Sequence, residues 1–224
     1  MSLRHRARNL DRTALVAQRI KRLPSIIRKL ELLDWMTLAQ MQDIGGCRAV
    51  LRNIAHVKKL MLGYQAGYGV HKLVRCDDYI ETPRKSGYRG VHLVYKYQSD
   101  GIGAPYNDQQ IEMQLRSQMQ HIWATAVETV DTFTRQALKS SLGQPDWLRF
   151  FALMSSAIAI AERSPLVPGT PQEGSALIAE LRAVATRLDV ERRFGAFPTV
   201  IKIGSSGNRV GKSNGECGLK AHRD

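Results

Sequence analysis

The sequence predicts one α/β domain: a mixed sheet of about five strands flanked by helices, with further helices toward the C-terminus. Two observations carry this prediction. Five strand-like apolar segments, each bounded by turn residues, occur before residue 117, and three long segments of helical character follow them. At 224 residues the chain is long enough to bury one substantial core, and no internal repeat indicates a solenoid or a propeller.

The predicted strands cover residues 14–22, 47–54, 71–79, 88–98 and 110–116. The last has the clearest alternation, with apolar side chains at odd positions and Glu112, Gln114 and Arg116 at even positions. A sheet with helices on both faces carries apolar residues on both faces. The polar face therefore predicts a concave, ligand-facing surface, the alternative being a half-exposed edge strand.

Predicted helices cover residues 24–33, 56–65, 117–138, 145–162 and 172–188, with Pro24 and Pro145 tolerated in first turns. Residues 1–13 are Arg-rich without clear periodicity, and residues 201–224 are rich in Gly, Ser and charge. We therefore expect a basic flexible N-terminus at 1–13, one domain at 14–200 and a disordered tail at 201–224.

The charge balance favours an anionic partner. The chain has 33 Lys and Arg against 20 Asp and Glu, and residues 1–30 alone hold nine Lys or Arg and one Asp. Cys47, Cys76 and Cys217 show no metal-ligand or disulfide spacing, which predicts free thiols. With no 18-residue apolar run and no secretory h-region, we expect a soluble cytoplasmic protein without a membrane partner.

A cluster of cations surrounds the start of the first predicted helix, where exposed backbone amides add affinity for an anion. The cluster comprises Arg19, Lys21, Arg22, Arg28 and Lys29, with the hydroxyl of Ser25 among them. Further along, Asp43 precedes Gly45 and Gly46, which let the backbone approach a ligand closely, and its carboxylate suits Mg²⁺ beside nucleotide phosphates. The alternative interpretations are a solvated basic helix and a turn-forming Asp.

An aromatic plane and two cations adjoin each other where the fourth strand is expected to begin. Tyr88 follows Gly87, and Arg84, Lys85 and Ser86 precede that glycine. This combination suits a nucleotide base and its phosphates. The sequence contains no GxxxxGK[ST] phosphate loop, no GxGxxG turn and no HExxH metal site, so any nucleotide is bound by another arrangement.

Five segments together resemble the synthetase domain of the RelA/SpoT alarmone synthetases, in its small stand-alone form. These are residues 19–29 (RIKRLPSIIRK), 43–48 (DIGGCR), 83–92 (PRKSGYRGVH), 112–117 (EMQLRS) and 121–124 (HIWA) with Glu128. The resemblance spans about residues 15–129 in family order. It implies a nucleotidyltransferase-like synthetase fold and the transfer of the β,γ-diphosphate of ATP to the 3′-hydroxyl of GDP or GTP.

The resemblance also implies roles for individual residues. Arg19, Lys21, Ser25, Lys29 and Arg48 would bind ATP. Mg²⁺ would be held by Asp43 and Glu112, both catalytic, with Glu112 activating the acceptor hydroxyl. Tyr88 would stack on guanine, and the remaining acceptor-binding residues would be Arg84, Lys85, His92, Gln114 and Arg116. The acceptor loop of the family commonly reads Lys-x-Asn-Gly-Tyr, whereas this chain has Arg84-Lys85-Ser86-Gly87-Tyr88.

Two alternatives remain at this stage. Some small relatives pyrophosphorylate the 3′ CCA end of tRNA, and the net charge of +13 suits a polyanionic acceptor. A non-catalytic nucleotide- or RNA-binding module is the second alternative, although the presence of both Asp43 and Glu112 argues against it. The resemblance further allows a homo-oligomer or, for the toxin alternative, an antitoxin protein as partner.

Overall fold

The computed structural model describes residues 2–38, 41, 44–67, 70–134, 138 and 143–193. Within this part, five strands form one mixed sheet and seven helices surround it, which confirms the predicted fold class. None of these helices is long and apolar enough to cross a membrane.

The strands are β1 (Leu15–Ile20), β2 (Gly45–Leu51), β3 (Lys72–Asp78), β4 (Val91–Lys96) and β5 (Gln110–Ser117). Their order across the sheet is β1-β2-β5-β4-β3. Only β2 and β5 run parallel, and the other neighbours are antiparallel. All five predicted strands are present, with ends shifted by a few residues. The position of β5 between β2 and β4 places its polar residues in the middle of the sheet.

The helices are α1 (Leu3–Leu10), α2 (Leu23–Leu32), α3 (Ile54–Gln65), α4 (Gln118–Thr134), α5 (Pro145–Glu162), α6 (Gly174–Arg187) and α7 (Val190–Arg193). Two apolar cores result. One joins α1 and α3 to a face of the sheet, around Leu51, Leu93 and Leu115. The other lies among α4, α5, α6 and α7, around Trp123 and Trp147. The second face of the sheet is therefore left to polar side chains beside α4 and α5.

The prediction of a flexible N-terminus is wrong for residues 3–10, which form α1. Ser2 caps this helix, its side chain accepting from the backbone N–H of His5. Leu3, Ala7 and Leu10 share one helix face and pack on the core, where Ala7 is fully buried. The apolar stripe is short, contains one small residue and is interrupted by arginines, so its period was not recognised. The expected tail at 201–224 lies outside the described residues.

The side chain of Asp11 links α1 to the sheet through hydrogen bonds. Its buried carboxylate accepts from the Thr13 hydroxyl at 2.6 Å, from the Thr13 amide at 2.9 Å and from the Arg52 amide at 2.7 Å. The bond from the Thr13 hydroxyl contributes most to lowering the pKa of Asp11 below its ordinary value of 3.8. This carboxylate thus connects the end of α1, the start of β1 and the turn that follows β2.

We expect Asp11→Asn to lower the free energy of unfolding by about 1–3 kcal/mol at neutral pH, because one of the two buried acceptor oxygens is replaced by a donor and a backbone N–H loses its partner. A carboxyl with a depressed folded-state pKa stabilises above its unfolded pKa and loses that contribution as pH falls through the folded value. In urea unfolding, the difference in unfolding free energy between the wild type and Asp11→Asn should therefore decrease at acidic pH. Asp100→Asn, at an exposed position, is the control, and an equal difference at all pH values would contradict the assignment.

Cys47 and Cys76 are free thiols, as predicted. Both lie on the sheet, and burial raises the pKa of Cys47 to about 11, so that its thiol is protonated at neutral pH. The third cysteine, Cys217, lies outside the described residues. Burial also raises the pKa of Cys76, so both thiols of the described part are protonated at neutral pH.

Candidate functional site

The strand register aligns polar residues on one face of three neighbouring strands. Arg48 on β2 pairs with Gln114 on β5, and Gln114 pairs in turn with His92 on β4. Directly opposed residues on adjacent strands point to the same face. Two residues earlier on β5, Glu112 is opposed by Gly46 and Val94. The polar face predicted for residues 110–116 is thereby confirmed as a surface built across the centre of the sheet.

Five side chains on this surface form a closed hydrogen-bonded circuit, here called the polar ring. His92 Nδ1 lies 2.7 Å from Glu112 Oε1, and Gln114 Nε2 donates to Glu112 Oε2 at 2.7 Å. Arg116 Nη2 donates to Gln114 Oε1 at 3.3 Å and to the Tyr88 hydroxyl at 3.0 Å. A bond between the Tyr88 hydroxyl and His92 Nε2 closes the ring. Each member is thus held by two others, which fixes the Glu112 carboxylate in orientation.

A cavity of about 460 Å³ lies over the polar ring. Its polar walls come from β1, β2, β4, β5, the loop before β4 and one residue of α4, and its apolar walls from α4, α5 and Leu138. The polar lining comprises Arg19, Arg48, Arg84, Lys85, Ser86, Tyr88, His92, Gln114, Arg116 and Glu128, and the apolar lining Trp123, Ala124, Val127, Leu138, Leu148 and Phe151. A volume of this size, with a cationic side and an apolar side, suits a nucleotide.

The floor of the cavity is strongly cationic. Burial, followed by the charges of Arg116 and Arg19, lowers the pKa of Arg48. Arg116 is 5% exposed, and its Nε and Nη1 atoms have no hydrogen-bond partner in the described part of the chain. Burial and the charges of Arg48 and Arg116 also lower the pKa of His121, which keeps this imidazole neutral at pH 7. Such a floor is complementary to a polyanionic ligand.

Close backbone approach is built into the site at Gly46. A Cβ at this position would overlap the backbone oxygen of Glu112 on the neighbouring strand. Glycine is therefore required for β2 to lie against β5 where the carboxylate of Glu112 emerges. The sequence-based interpretation expected a ligand to approach the Gly45-Gly46 pair, whereas the group that approaches Gly46 is the neighbouring strand and a Cβ at Gly45 would meet no atom within 4 Å.

The loop before β4 presents Tyr88 to the cavity. β4 begins at Val91. Tyr88 therefore belongs to the loop, whereas the predicted range 88–98 placed it in the strand. The rings of Tyr79, Tyr88 and His92 meet edge to face, with centroids 5.3–5.8 Å apart. Arg84 stacks on Tyr79 with its guanidinium carbon 4.3 Å from the ring centroid, and donates to the Tyr79 hydroxyl at 2.5 Å. An aromatic group and a cation thereby adjoin each other at the rim.

The structure brings most of the predicted site residues together. Those lining the cavity are Arg19, Arg48, Arg84, Lys85, Tyr88, His92, Gln114 and Arg116, and Glu112 joins them through the polar ring. Lys21, Ser25 and Lys29 are not among the lining residues. Ser25 and Lys29 lie on α2, which contributes no buried residue to either core. Asp43 lies outside the described residues, so its proposed role stays a prediction.

Sequence reasoning missed the contribution of α5 and the burial of Arg89. Leu148 and Phe151 on α5 look like ordinary core positions of an amphipathic helix, and no periodic signal separates a core residue from a cavity wall. Arg89 is 3% exposed although it lies in a basic, polar loop. The one available signal was its place between Tyr88 and Gly90, within a segment already singled out.

A family model described as the region found in RelA / SpoT proteins matches residues 18–132. The chain belongs to this family. The match begins within β1 and ends two residues before the end of α4, and it includes all of β2, β3, β4 and β5 and the whole polar ring. Comparison with curated protein sequences gives no match.

Several solved structures share the fold. Small alarmone synthetase 1 from Bacillus subtilis, solved with its product pppGpp, is 23% identical, with a TM-score of 0.57 over 66% of this chain and 74% of that chain. A GTP pyrophosphokinase family protein from Streptococcus pneumoniae is 19% identical, with a TM-score of 0.54 over 77% and 79%. The protein smu.1046c from Streptococcus mutans UA159 is 26% identical, with a TM-score of 0.53 over 66% and 74%. These similarities establish the synthetase fold of the chain.

Proposed function

We propose that this RelA/SpoT family member is an alarmone synthetase, which transfers the β,γ-diphosphate of ATP to the 3′-hydroxyl of GDP or GTP. The observation that carries the proposal is the polar ring at the floor of a nucleotide-sized cavity. A carboxylate, an aromatic hydroxyl and a buried guanidinium converge there, within the region that matches the family.

In this reaction the acceptor 3′-oxygen forms a bond to the β-phosphorus of ATP, the bond between that phosphorus and the α,β-bridging oxygen breaks, and AMP leaves with that oxygen. Glu112 is the group that takes the proton of the 3′-hydroxyl, on a carboxylate oxygen oriented by His92 and Gln114. Diphosphoryl transfer depends mainly on alignment and on neutralising phosphate charge. Arg19 and Arg48 are proposed to supply that charge on the ATP side, and Lys21, Ser25 and Lys29 to extend it along α2.

The donor set is compatible with a divalent cation. Glu112 offers two carboxylate oxygens beside Gly46, and Asp43 precedes Gly45, the first residue of β2, by two positions in the sequence. Carboxylates together with nucleotide phosphates are the ligands that Mg²⁺ prefers. We propose that Glu112 and Asp43 hold this ion. When bound, Mg²⁺ supplies charge stabilisation to the transferred group.

On the acceptor side, Tyr88 is proposed to stack on the base, with Arg84 and Lys85 meeting the 5′-phosphates and Arg116 the phosphate or ribose deeper in the cavity. Edge-to-face packing against Tyr79 and His92 holds the ring of Tyr88. The apolar wall formed by Trp123, Leu148 and Phe151 gives the base a desolvated surface. A free nucleotide is therefore the favoured acceptor.

The acceptor is tested by incubating the protein with Mg²⁺ and ATP labelled in its terminal phosphate, and offering GDP, GTP and deacylated tRNA in parallel. We expect label in the guanosine nucleotides, with turnover that saturates in acceptor. Label on tRNA, with affinity falling steeply as salt rises, would instead favour a polyanionic acceptor. Nucleotide binding without transfer to any acceptor would show that the protein is a binding module without catalytic activity.

Tyr88 offers a test of base stacking. We expect Tyr88→Ala to raise the acceptor KM by roughly tenfold or more, since base–aromatic stacking contributes about 1–3 kcal/mol. Tyr88→Phe keeps the ring and loses only its bonds to Arg116 and His92, so its effect should be smaller. The KM for ATP should change little in both. Tyr106→Ala, at an exposed tyrosine, is the control, and equal effects of the Ala variants at Tyr88 and Tyr106 would contradict the stacking role.

A further inference from the structure

Arg89 has no contact with the cavity and is nevertheless the most heavily bonded residue of the loop before β4. Tyr88, its neighbour, faces the cavity, whereas Arg89 enters the protein interior and is 3% exposed. Burying a guanidinium is costly unless its donors are paired. Its partners therefore indicate what this arginine does.

The guanidinium of Arg89 bonds to three separate segments. Its Nε donates to Ser155 Oγ on α5 at 3.0 Å. Its Nη1 donates to Ser164 Oγ at 3.3 Å and to the backbone oxygen of Ile80 at 3.5 Å, and its Nη2 donates to the backbone oxygen of Pro165. All three nitrogens are thus paired. The turn after β3, the middle of α5 and the turn after α5 are joined through one side chain.

Ser155 continues the connection back into the loop. Its hydroxyl accepts from Arg89 and donates to the backbone oxygen of Gly87 at 2.7 Å. Gly87 has a φ of 89°, and a Cβ there would lie 2.9 Å from both the Trp123 ring and the backbone oxygen of Phe151. The backbone immediately before Tyr88 is thus pressed against α4 and α5, in a conformation that glycine adopts readily.

A second branch leads from Arg89 toward β5. The charge of Glu162, at the end of α5, favours the protonated form of Arg89, opposing the burial that lowers the pKa of Arg89 to about 10. Gln120 donates to Glu162 at 3.3 Å, and Gln120 and Ser117 form a reciprocal capping box at the start of α4. Ser117 is the last residue of β5, directly after Arg116. Through the charge of Glu162 and the bond from Gln120, Arg89 is thus linked to the end of β5, the strand that carries three of the five residues of the polar ring.

We infer that Arg89, with Ser155, is a positioning residue that holds the loop before β4 so that Tyr88 meets Arg116 and His92 at the acceptor side of the cavity. The inference deepens the proposed function and rests on it for its kinetic consequence. Arg89 acts through Tyr88 and touches no substrate. The residues proposed for ATP lie on β1, the turn after it, α2 and β2, none of which Arg89 contacts, so the loss of Arg89 should affect one substrate selectively.

The kinetic test compares Arg89→Gln and Arg89→Lys with Arg182→Gln, an exposed arginine on α6, as the matched control. For Arg89→Gln we expect the acceptor KM to rise about tenfold or more, while the KM for ATP stays within about twofold. Arg89→Lys should give an acceptor KM between those of the wild type and Arg89→Gln, since an ammonium lacks the planar fork needed to reach all these acceptors together. Ser155→Ala should also raise the acceptor KM with little effect on the KM for ATP, by a smaller factor. This variant replaces Arg89→Gln in the test if Arg89→Gln does not fold.

Hydrogen–deuterium exchange tests the anchor without turnover. In the loop, the amide of Gly87 donates to Arg84 at 2.8 Å and that of Arg84 donates to Tyr88 at 3.3 Å. Arg89→Gln should speed exchange of these amides and leave those of β5 unchanged. Equal rises of both KM values, or unchanged exchange in the loop, would overturn the inference. If the wild type transferred nothing to any acceptor, the proposed function would fail, and exchange alone would decide whether Arg89 positions the loop.

Discussion

Glu112→Gln should reduce kcat by about a thousandfold or more, because the amide neither accepts the proton of the 3′-hydroxyl nor supplies the charge that a divalent cation requires. The fold should persist. The Glu112 side chain is 14% exposed, and a glutamine of nearly the same shape keeps an acceptor for His92 or for Gln114. ATP and acceptor affinities should therefore change far less than turnover.

The control for this variant is Glu191→Gln, an exposed carboxylate on α7. Glu112→Asp is a milder variant, since it keeps the carboxylate but shortens the side chain by one methylene. Activity within about tenfold of the wild type in Glu112→Gln, with a normal thermal transition, would contradict a general-base role for this residue.

Arg116→Met should separate stability from activity. In the described part of the chain two of its three guanidinium nitrogens are buried without partners, and the charge of Arg48 is near. Replacing an incompletely paired buried charge by an apolar side chain of similar length is often neutral or stabilising. We expect the unfolding free energy to stay the same or rise by about 1 kcal/mol, while kcat/KM for the acceptor falls by roughly a hundredfold.

The expected separation follows from the proposed role of Arg116, which is to bind the acceptor and not to stabilise the unliganded fold. Its unpaired Nε and Nη1 would be satisfied by phosphate or ribose oxygens. Thermal unfolding and steady-state kinetics on Arg116→Met and Arg182→Met measure the two effects. A large loss of stability with activity retained would show that Arg116 is a structural residue, and would remove it from the acceptor site.

The sheet could be predicted from the sequence because strand alternation and turn residues are local signals. The range 110–116 shows this best, since a period of two separates Glu112, Gln114 and Arg116 from the apolar side chains. Pro145 also fixed the start of α5, which has the predicted limits. The approximate content of the site followed from the family resemblance, and eight of the predicted residues line one cavity.

What could not be predicted depends on contacts between distant segments. The burial of Arg89 requires Ser155, Ser164 and Pro165, which follow it by more than sixty positions. The polar ring likewise depends on β4 pairing with β5, which puts His92 beside Gln114. The helix α1 was missed for another reason, because α1 is stabilised by docking on the core and not by a strong local pattern.

The most direct measurement is the identity of the nucleotide released from ATP. With GDP or GTP present, transfer of a diphosphate should release one AMP per acceptor consumed, and the product should carry the diphosphate at its 3′ position. The release should be lost in Glu112→Gln and retained in Glu191→Gln. Release of ADP, or of AMP at the same rate with and without an acceptor, would contradict pyrophosphate transfer as the activity of this cavity.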